Sequence, residues 1–134
     1  HRESGGSMKT PVRTDKAPAP FQGAPYSQGI VFGDLVFVAG QLGIDPASGE
    51  VVEGGIAEQT ERAMQNLAAI LEEAGSGLDK LVKTSIFLVD LRDFAAMNEV
   101  YASHLTEPYP ARATVQIAAL PSGARVEIEA VAHT

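Results

Sequence analysis

Two short segments rich in β-branched and aromatic residues have apolar side chains at four successive positions. These segments constrain the fold more than any other feature. They are residues 35–38 (LVFV) and residues 86–89 (IFLV). Successive side chains of a β-strand point to opposite faces of its sheet, so strands with these sequences are apolar on both faces. The chain contains only two helical patterns, and two helices can cover one face. We therefore expect other subunits to bury the second face. The alternative is that loops cover it, which we favour less because the loops are short and rich in Pro and Gly.

The first apolar segment lies in a predicted β-hairpin. Residues 27–32 and 35–42 are short runs of apolar and β-branched side chains. Gly33 and Asp34 between them are typical of a type II′ turn, in which Gly takes the first central position. Residues 45–49 (DPASG) combine Asx, Pro and Gly and predict a loop after the hairpin.

Two helices are predicted, one on each side of the second apolar segment. Apolar side chains recur every three or four positions over residues 56–74, and Gly75 is a natural residue to follow a helix. Residues 81–89 (LVKTSIFLV) predict a strand. Asp93 is a favourable N-cap for the second helix. The apolar face of that helix consists of Phe94, Met97, Val100, Tyr101 and Leu105.

The last two segments, residues 112–119 and 125–132, alternate in polarity and predict a second antiparallel hairpin around residues 120–123 (LPSG). Their polar positions are Arg112, Thr114 and Gln116 in the first segment, and Arg125, Glu127 and Glu129 in the second. The predicted order of elements is ββαβαββ. We expect an α+β fold in which two helices cover one face of a mixed sheet, and this sheet has six strands if the N-terminal segment contributes an edge strand.

The chain length of 134 residues suits one domain. Residues 1–7 (HRESGGS) precede Met8 and are interpreted as the remnant of an expression tag, which leaves residues 8–134 as the domain. Residues 9–25 contain four prolines. Proline fixes φ and removes a backbone N–H, so we expect an extended segment with at most one short edge strand.

Composition argues against several classes of function. Ten Lys and Arg against 17 Asp and Glu give a net charge of −7, with no basic stripe for nucleic acid. The chain has no cysteine, and its three histidines lack an i, i+4 partner, so no metal site is expected. No apolar run approaches the roughly 18 residues of a membrane helix, and no nucleotide-binding motif is present. We expect a cytoplasmic protein that interacts with neither nucleic acid nor a membrane.

Arg112 and Glu127 are the candidate catalytic residues, and the residue pattern alone leaves two interpretations. If their strands pair as a hairpin, the guanidinium and the carboxylate share one face of the sheet. They then form either a solvated ion pair contributing no more than about 1 kcal/mol, or a site in which Arg binds a substrate carboxylate while Glu transfers a proton. The alternation by itself favours the ion pair, because solvated polar faces are common on antiparallel strands.

A set of segments, taken in order, resembles the RidA (YjgF) family of imine deaminases. They are residues 24–29 (APYSQG), 38–42 (VAGQL), 45–49 (DPASG), 83–91 (KTSIFLVDL) with 93–95 (DFA), Asn98 and Tyr101, 109–115 (YPARATV), 120–121 (LP) and 126–132 (VEIEAVA). The resemblance runs from about residue 14 to residue 132. Its most specific part is Pro-Ala-Arg followed by the Glu-Ile-Glu-Ala strand.

The resemblance implies a fold, an assembly and an activity. The fold is the chorismate-mutase-like ββαβαββ fold, and the assembly is a homotrimer with a cleft at each subunit interface. The activity is hydrolysis of 2-imino acids, of the 2-iminobutanoate and 2-iminopropanoate type, to 2-oxo acids and ammonia without a cofactor. In this chain Arg112 would bind the substrate carboxylate and Glu127 would position or activate water. The remaining residues of the cleft would be Tyr26, Ala39, the backbone of Gly40, Asn98 and Thr114.

Two positions depart from the pattern of active family members. Ala39 stands where many have Ser, which removes a hydroxyl that could bind substrate, and Thr114 stands where many have Cys. Thr114 keeps a small side chain with a hydrogen-bond donor. Two further functions stay open: a ligand sensor that binds small carboxylates without turnover, and a chaperone-like interaction protein.

Overall fold

A computed structural model describes residues 8–134, and its main feature is a six-stranded mixed sheet with both helices on one face. The tag assigned to residues 1–7 lies outside the described residues. The strands of this sheet are β1 (Thr10–Val12), β2 (Gly29–Phe32), β3 (Leu35–Leu42), β6 (Leu81–Leu88), β7 (Ala111–Gln116) and β8 (Val126–His133), and the helices are α1 (Ile56–Glu73) and α2 (Phe94–Ser103). The strand order is β1-β2-β3-β8-β6-β7. The predicted α+β class, sheet and helical layer are confirmed.

The first hairpin is confirmed. β2 and β3 pair antiparallel, with Phe32 opposite Leu35, and Gly33 has φ +62° as the predicted turn requires. The predicted loop at residues 45–49 is present and forms the turn of a small second hairpin, whose strands are β4 (Ile44–Asp45) and β5 (Glu50–Val51). The Asp45 carboxylate accepts a hydrogen bond from the backbone N–H of Ala47, which stabilises this turn.

The two helices agree with prediction to different degrees. α1 begins at the predicted residue, and Gly75 after it has φ +83°, the left-handed conformation that ends many helices. On α2 only Met97 and Tyr101 of the predicted apolar face are buried, and Phe94 is 40% exposed. The Asp93 side chain makes no capping hydrogen bond, because it pairs with Arg125 at 2.8 Å. The prediction of a capping role for Asp93 was therefore wrong.

The predicted hairpin of residues 112–119 and 125–132 is also wrong. β7 lies parallel to β6, with Arg112 opposite Thr84, and β8 lies antiparallel on the other side of β6. β6, α2 and β7 form a βαβ unit, in which the helix connects two parallel strands. Alternation along a strand determines which side chains share a face, and it does not determine which strand lies next to it.

The face of the sheet opposite the helices, here called the open face, is apolar and uncovered in the single chain. Leu35 is 39% exposed, Phe37 42% and Val115 46%. The loops of residues 8–134 leave these side chains in solvent, which contradicts the alternative that loops cover this face. No helix in the same range combines the length and the apolar character needed to cross a membrane.

A buried asparagine on α1 fixes the end of β3, the strand that includes Ala39 and Gly40. The Asn66 side-chain amide donates to the carbonyl oxygens of Leu42 at 3.1 Å and Ile44 at 2.9 Å, and Asn66 is fully buried. In the variant Asn66→Leu both carbonyls lose their donor. A buried acceptor without a partner costs about 1–3 kcal/mol, so we expect the free energy of unfolding to fall by about 2–4 kcal/mol, measured by urea denaturation.

The neighbouring residue Gln65 provides the matched control. Its side chain is exposed and bonds only to Glu61 on the same helix. Gln65→Leu is expected to change the free energy of unfolding by no more than about 0.5 kcal/mol. Equal losses in the two variants would show that the Asn66 hydrogen bonds do not stabilise the end of β3.

Candidate functional site

The guanidinium of Arg112 lies on the helix face of β7 and is oriented by α2. Its Nη1 donates a hydrogen bond to Asn98 Oδ1 at 2.7 Å. Its Cζ lies 5.2 Å from the ring centroid of Tyr101 and 5.4 Å from that of Phe94, within the range of cation–π attraction. Among residues 8–134, no carboxylate lies within ion-pair distance of this guanidinium. Arg112 is therefore held in place without being neutralised by its own chain.

A cleft of about 380 Å³ opens beside Arg112. It is lined by Asn98, Tyr101, Ala102, Tyr109, Pro110 and Arg112. Ligand sites are typically concave, mostly apolar and supplied with a few polar groups that orient the ligand, and this volume lies at the small end of their range. The cleft therefore suits a small anionic molecule.

Thr114 lies two residues beyond Arg112 on the same face of β7 and pairs with Ile86 of β6. Its hydroxyl is buried and has no hydrogen-bond partner among the described residues. Buried hydroxyls are nearly always paired, because an unpaired one loses its bonds to water without replacement. We use the name arginine half-site for Asn98, Arg112 and Thr114.

Glu127 lies on the open face, on β8. A Cβ atom added at Gly40 would lie 2.6 Å from Glu127 Cδ, so the carboxyl group rests directly against the Gly40 backbone and only glycine leaves room for it. Among residues 8–134 the Glu127 carboxylate forms no hydrogen bond or ion pair. Burial, and then the negative charge of Glu129, raise its pKa above the ordinary value of 4.5.

Tyr26 and Gly40 line a second cleft of about 330 Å³. The Tyr26 hydroxyl accepts a hydrogen bond from the backbone N–H of Phe21 at 2.7 Å, which fixes the ring at the edge of this cleft. Ala39 lies in the irregular part of β3 just before Gly40, where its N–H donates to the Gln28 carbonyl. We use the name glutamate half-site for Tyr26, Gly40 and Glu127.

The two half-sites lie on opposite faces of the sheet within one chain. Arg112 pairs with Thr84 on the helix side, whereas Glu127 pairs with Phe87 on the open side. β6 also separates β7 from β8. The hypothesis of a cross-strand ion pair between Arg112 and Glu127 is therefore wrong for the single chain. Among residues 8–134, neither the Arg112 guanidinium nor the Glu127 carboxylate has an oppositely charged partner.

The structure also shows contacts that the residue pattern did not indicate. Phe94 and Tyr101 were expected only as the apolar face of α2, but their rings flank the guanidinium of Arg112. Their spacing of seven residues on a helix, together with Arg in the next strand, was a signal available in the sequence. Across residues 8–134, no three His, Asp or Glu side chains come close enough together to hold a metal ion.

The fold and the half-sites define a class of protein: an α+β chain that presents an oriented arginine on one face of its sheet and a half-buried glutamate on the other. Residues 14–134 match the family model described as Endoribonuclease L-PSP. The chain belongs to this family, which includes the RutC and RidA proteins that its sequence resembles.

Individual relatives agree with this assignment. A RutC family protein of Pyrococcus abyssi is 50% identical over 125 residues, which are 93% of this chain and 97% of that protein. The human 2-iminobutanoate/2-iminopropanoate deaminase is 44% identical over 121 residues, 90% of this chain and 87% of that protein. The crystal structure of RidA from an Antarctic Psychrobacter species superimposes with a TM-score of 0.89 at 47% identity, covering 93% of this chain and 99% of that one.

Proposed function

We propose that this protein hydrolyses small 2-imino acids to 2-oxo acids and ammonia, in a homotrimer where the arginine half-site of one subunit faces the glutamate half-site of another. The observation that carries the proposal is the environment of Arg112. This residue is oriented by Asn98 and two aromatic rings, lines a small cleft and has no carboxylate partner in its own chain. The name of the human relative, a 2-iminobutanoate/2-iminopropanoate deaminase, supports the reaction.

Arg112 binds the substrate carboxylate in this proposal. A guanidinium is planar and offers parallel N–H donors that match the two oxygens of a carboxylate, so it fixes orientation as well as charge. One Nη1 hydrogen is used by Asn98, which leaves the other N–H groups for the ligand. The buried hydroxyl of Thr114, on the same face of β7, offers a further hydrogen bond at the arginine half-site.

Glu127 handles the protons of the proposed hydrolysis. Starting from the protonated imine, a water oxygen attacks C2, the electron pair of the C=N π bond moves to the nitrogen, and the Glu127 carboxylate accepts one of the water protons, giving a neutral carbinolamine. Glu127 then returns this proton to the amino nitrogen. As the C–N bond breaks and ammonia leaves, the hydroxyl oxygen forms the C=O bond of the 2-oxo acid, and the hydroxyl proton passes to the Glu127 carboxylate, from which ammonia or water takes it. A carboxyl group with a raised pKa suits both steps, because proton transfer is most effective when the pKa of the group is close to the working pH. The reaction consumes only water and substrate.

The assembly explains how the two half-sites meet. In a single chain they lie on opposite faces of the sheet, and the open face carries exposed Leu35, Phe37 and Val115. In the proposed trimer this face packs against the sheets of other subunits, which removes its apolar surface from water. Light scattering coupled to size exclusion is expected to give three times the 14.1 kDa of one chain. A mass near that of one chain would contradict both the trimer and the shared site.

The reaction is tested by an assay in which a dehydratase or an amino-acid oxidase generates the imine and the appearance of 2-oxo acid is followed. Addition of the protein is expected to accelerate this step. Ala39 leaves no hydroxyl beside Gly40, and this favours a ligand sensor as the second candidate. A sensor would bind 2-oxobutanoate without accelerating hydrolysis, whereas a protein that neither binds nor accelerates would contradict both proposals. The net charge of −7 argues against RNA as the substrate.

The pH dependence of the reaction provides a prediction for Glu129. Glu127 must be ionised to accept a proton, and its raised pKa places the acid limb of kcat/KM above the ordinary pKa of a glutamate. In Glu129→Gln the neighbouring negative charge is removed, the Glu127 pKa falls, and the acid limb moves to lower pH. The pH profile of kcat/KM measures this shift. Glu72→Gln, an exposed carboxylate on α1, is the control and is expected to leave the limb in place.

A further inference from the structure

We propose that Tyr101, anchored by Thr84, is a positioning residue that holds the guanidinium of Arg112 in its carboxylate-binding geometry. This inference rests on the proposed function, in which Arg112 binds a carboxylate. Three contacts carry it. Thr84 is the direct partner of Arg112 across the β6–β7 pair, Thr84 Oγ1 lies 2.7 Å from Tyr101 Oη, and the Tyr101 ring lies 5.2 Å from Arg112 Cζ.

These contacts connect β6, α2 and the Arg112 side chain to one another. Thr84 is fully buried and Tyr101 is 6% exposed, so the hydrogen bond between them is shielded from water. It ties α2 to β6 at Thr84, the residue that pairs with Arg112. Tyr101 thus provides a rigid platform for the guanidinium, and Phe94, 40% exposed, contributes a second ring at the rim. Without a platform, the long Arg side chain retains rotamer freedom that must be lost when a ligand binds.

The platform attracts Arg112 without neutralising it. Burial raises the pKa of the Tyr101 phenol, although the Thr84 hydrogen bond and the Arg112 charge act in the opposite direction. The phenol is therefore neutral at physiological pH, and its ring attracts the guanidinium through the quadrupole of the π-system. An acidic partner at this place would compete with the substrate carboxylate. A neutral ring orients the guanidinium and leaves its charge for the ligand.

The test compares Tyr101→Leu with Tyr101→Phe, using 2-oxobutanoate as the probe and calorimetry to measure its dissociation constant. Tyr101→Leu removes the ring and is expected to raise the dissociation constant about 5- to 30-fold. KM is expected to rise with it, and kcat is expected to change little. Tyr101→Phe keeps the ring and leaves the Thr84 hydroxyl unpaired. It is expected to lower Tm while changing the dissociation constant less than about threefold.

A double-mutant cycle with Arg112→Ala separates positioning from direct contact. If Tyr101 acts through Arg112, Tyr101→Leu weakens binding in the wild-type background and has no further effect in the Arg112→Ala background. An equal loss in both backgrounds would assign Tyr101 to direct ligand contact and overturn the inference. Unchanged binding in Tyr101→Leu would also overturn it. A loss of affinity in Tyr101→Phe that parallels its loss of Tm would overturn it as well. In each case, a measurable weakening of wild-type binding by Arg112→Ala keeps the proposed carboxylate role of Arg112 intact.

A ligand-free measurement tests the same geometry if 2-oxobutanoate does not bind and the proposed function fails. The Nε–H NMR signal of Arg112, assigned by its absence in Arg112→Ala, is expected to be displaced by the ring current of Tyr101. The displacement should persist in Tyr101→Phe and diminish in Tyr101→Leu. A signal at the same position in all three proteins would contradict the platform.

Discussion

Replacement of Arg112 by Ala is expected to weaken the binding of 2-oxobutanoate and to lower kcat/KM together, each by about 10²-fold or more. A carboxylate clamp acts in the ground state and in the transition state, so its loss affects affinity and rate alike. Arg112→Lys is expected to restore little of either. A lysine is a point charge that cannot reproduce two parallel N–H donors, and it cannot stack on the Tyr101 ring in the same way. Calorimetry and steady-state kinetics measure the two effects.

Arg125 is the matched control for Arg112. It immediately precedes β8, its side chain is 45% exposed, and it pairs with Asp93 rather than lining the cleft. Arg125→Ala is expected to leave binding and kcat near the wild-type values and to change stability by no more than about 1 kcal/mol. If Arg112→Ala binds 2-oxobutanoate as the wild type does, the proposed activity loses its carboxylate anchor.

The elements that local patterns determine could be predicted from the sequence. The apolar spacing of three and four residues along α1 and Gly75 at its end placed the helix to within one residue. Gly33 at the first central position placed the β2–β3 turn. These features depend on interactions between residues that are close in sequence, such as helix contacts at i, i+4 and the φ angle of a single glycine.

The pairing of β7 could not be predicted in this way. Alternating polarity and the Leu-Pro-Ser-Gly segment suggested a hairpin with β8. In the structure residues 121–123 form a 3₁₀ turn with Ser122 at φ +59°, and the segment crosses the end of β6, where Ile117 N–H donates to the Leu88 carbonyl. The strand partner is decided by the connection through α2, which favours a parallel βαβ unit. That is a tertiary effect, and alternation contains no information about it.

The residues of the candidate site could be predicted, but their arrangement in space could not. Resemblance named Arg112 and Glu127, and the residue pattern put them on one face. The structure puts them on opposite faces because Arg112 pairs with Thr84 and Glu127 pairs with Phe87. These two partners lie three positions apart on β6 and therefore point to opposite faces of the sheet. The contact between the Glu127 carboxyl group and the Gly40 backbone could not be predicted from the sequence either, because it depends on the irregularity in β3 between Val38 and Gln41.

Glu127→Gln is expected to lower kcat by about 10² to 10⁴ while KM changes little. Glutamine keeps the shape of the side chain against Gly40 but cannot accept a proton from water, so the loss falls on the chemical step. Single-turnover kinetics with the generated imine measure it. The control is Glu129→Gln, on the same strand, which is expected to retain kcat at its own optimum pH. Wild-type kinetics in Glu127→Gln would remove Glu127 from the mechanism.

The same variant tests whether the site is shared between subunits. Arg112→Ala and Glu127→Gln are each expected to be inactive alone. When the two are unfolded together and reassembled, an interface that takes Arg112 from one variant and Glu127 from the other contains both native residues. With random mixing in a cyclic trimer about a quarter of the interfaces are of this kind, so about a quarter of the wild-type activity is expected to return. If both residues acted from the same subunit, no mixed trimer would contain an intact site and the mixture would stay inactive. The placement of Arg112 and Glu127 on opposite faces of the sheet favours recovery.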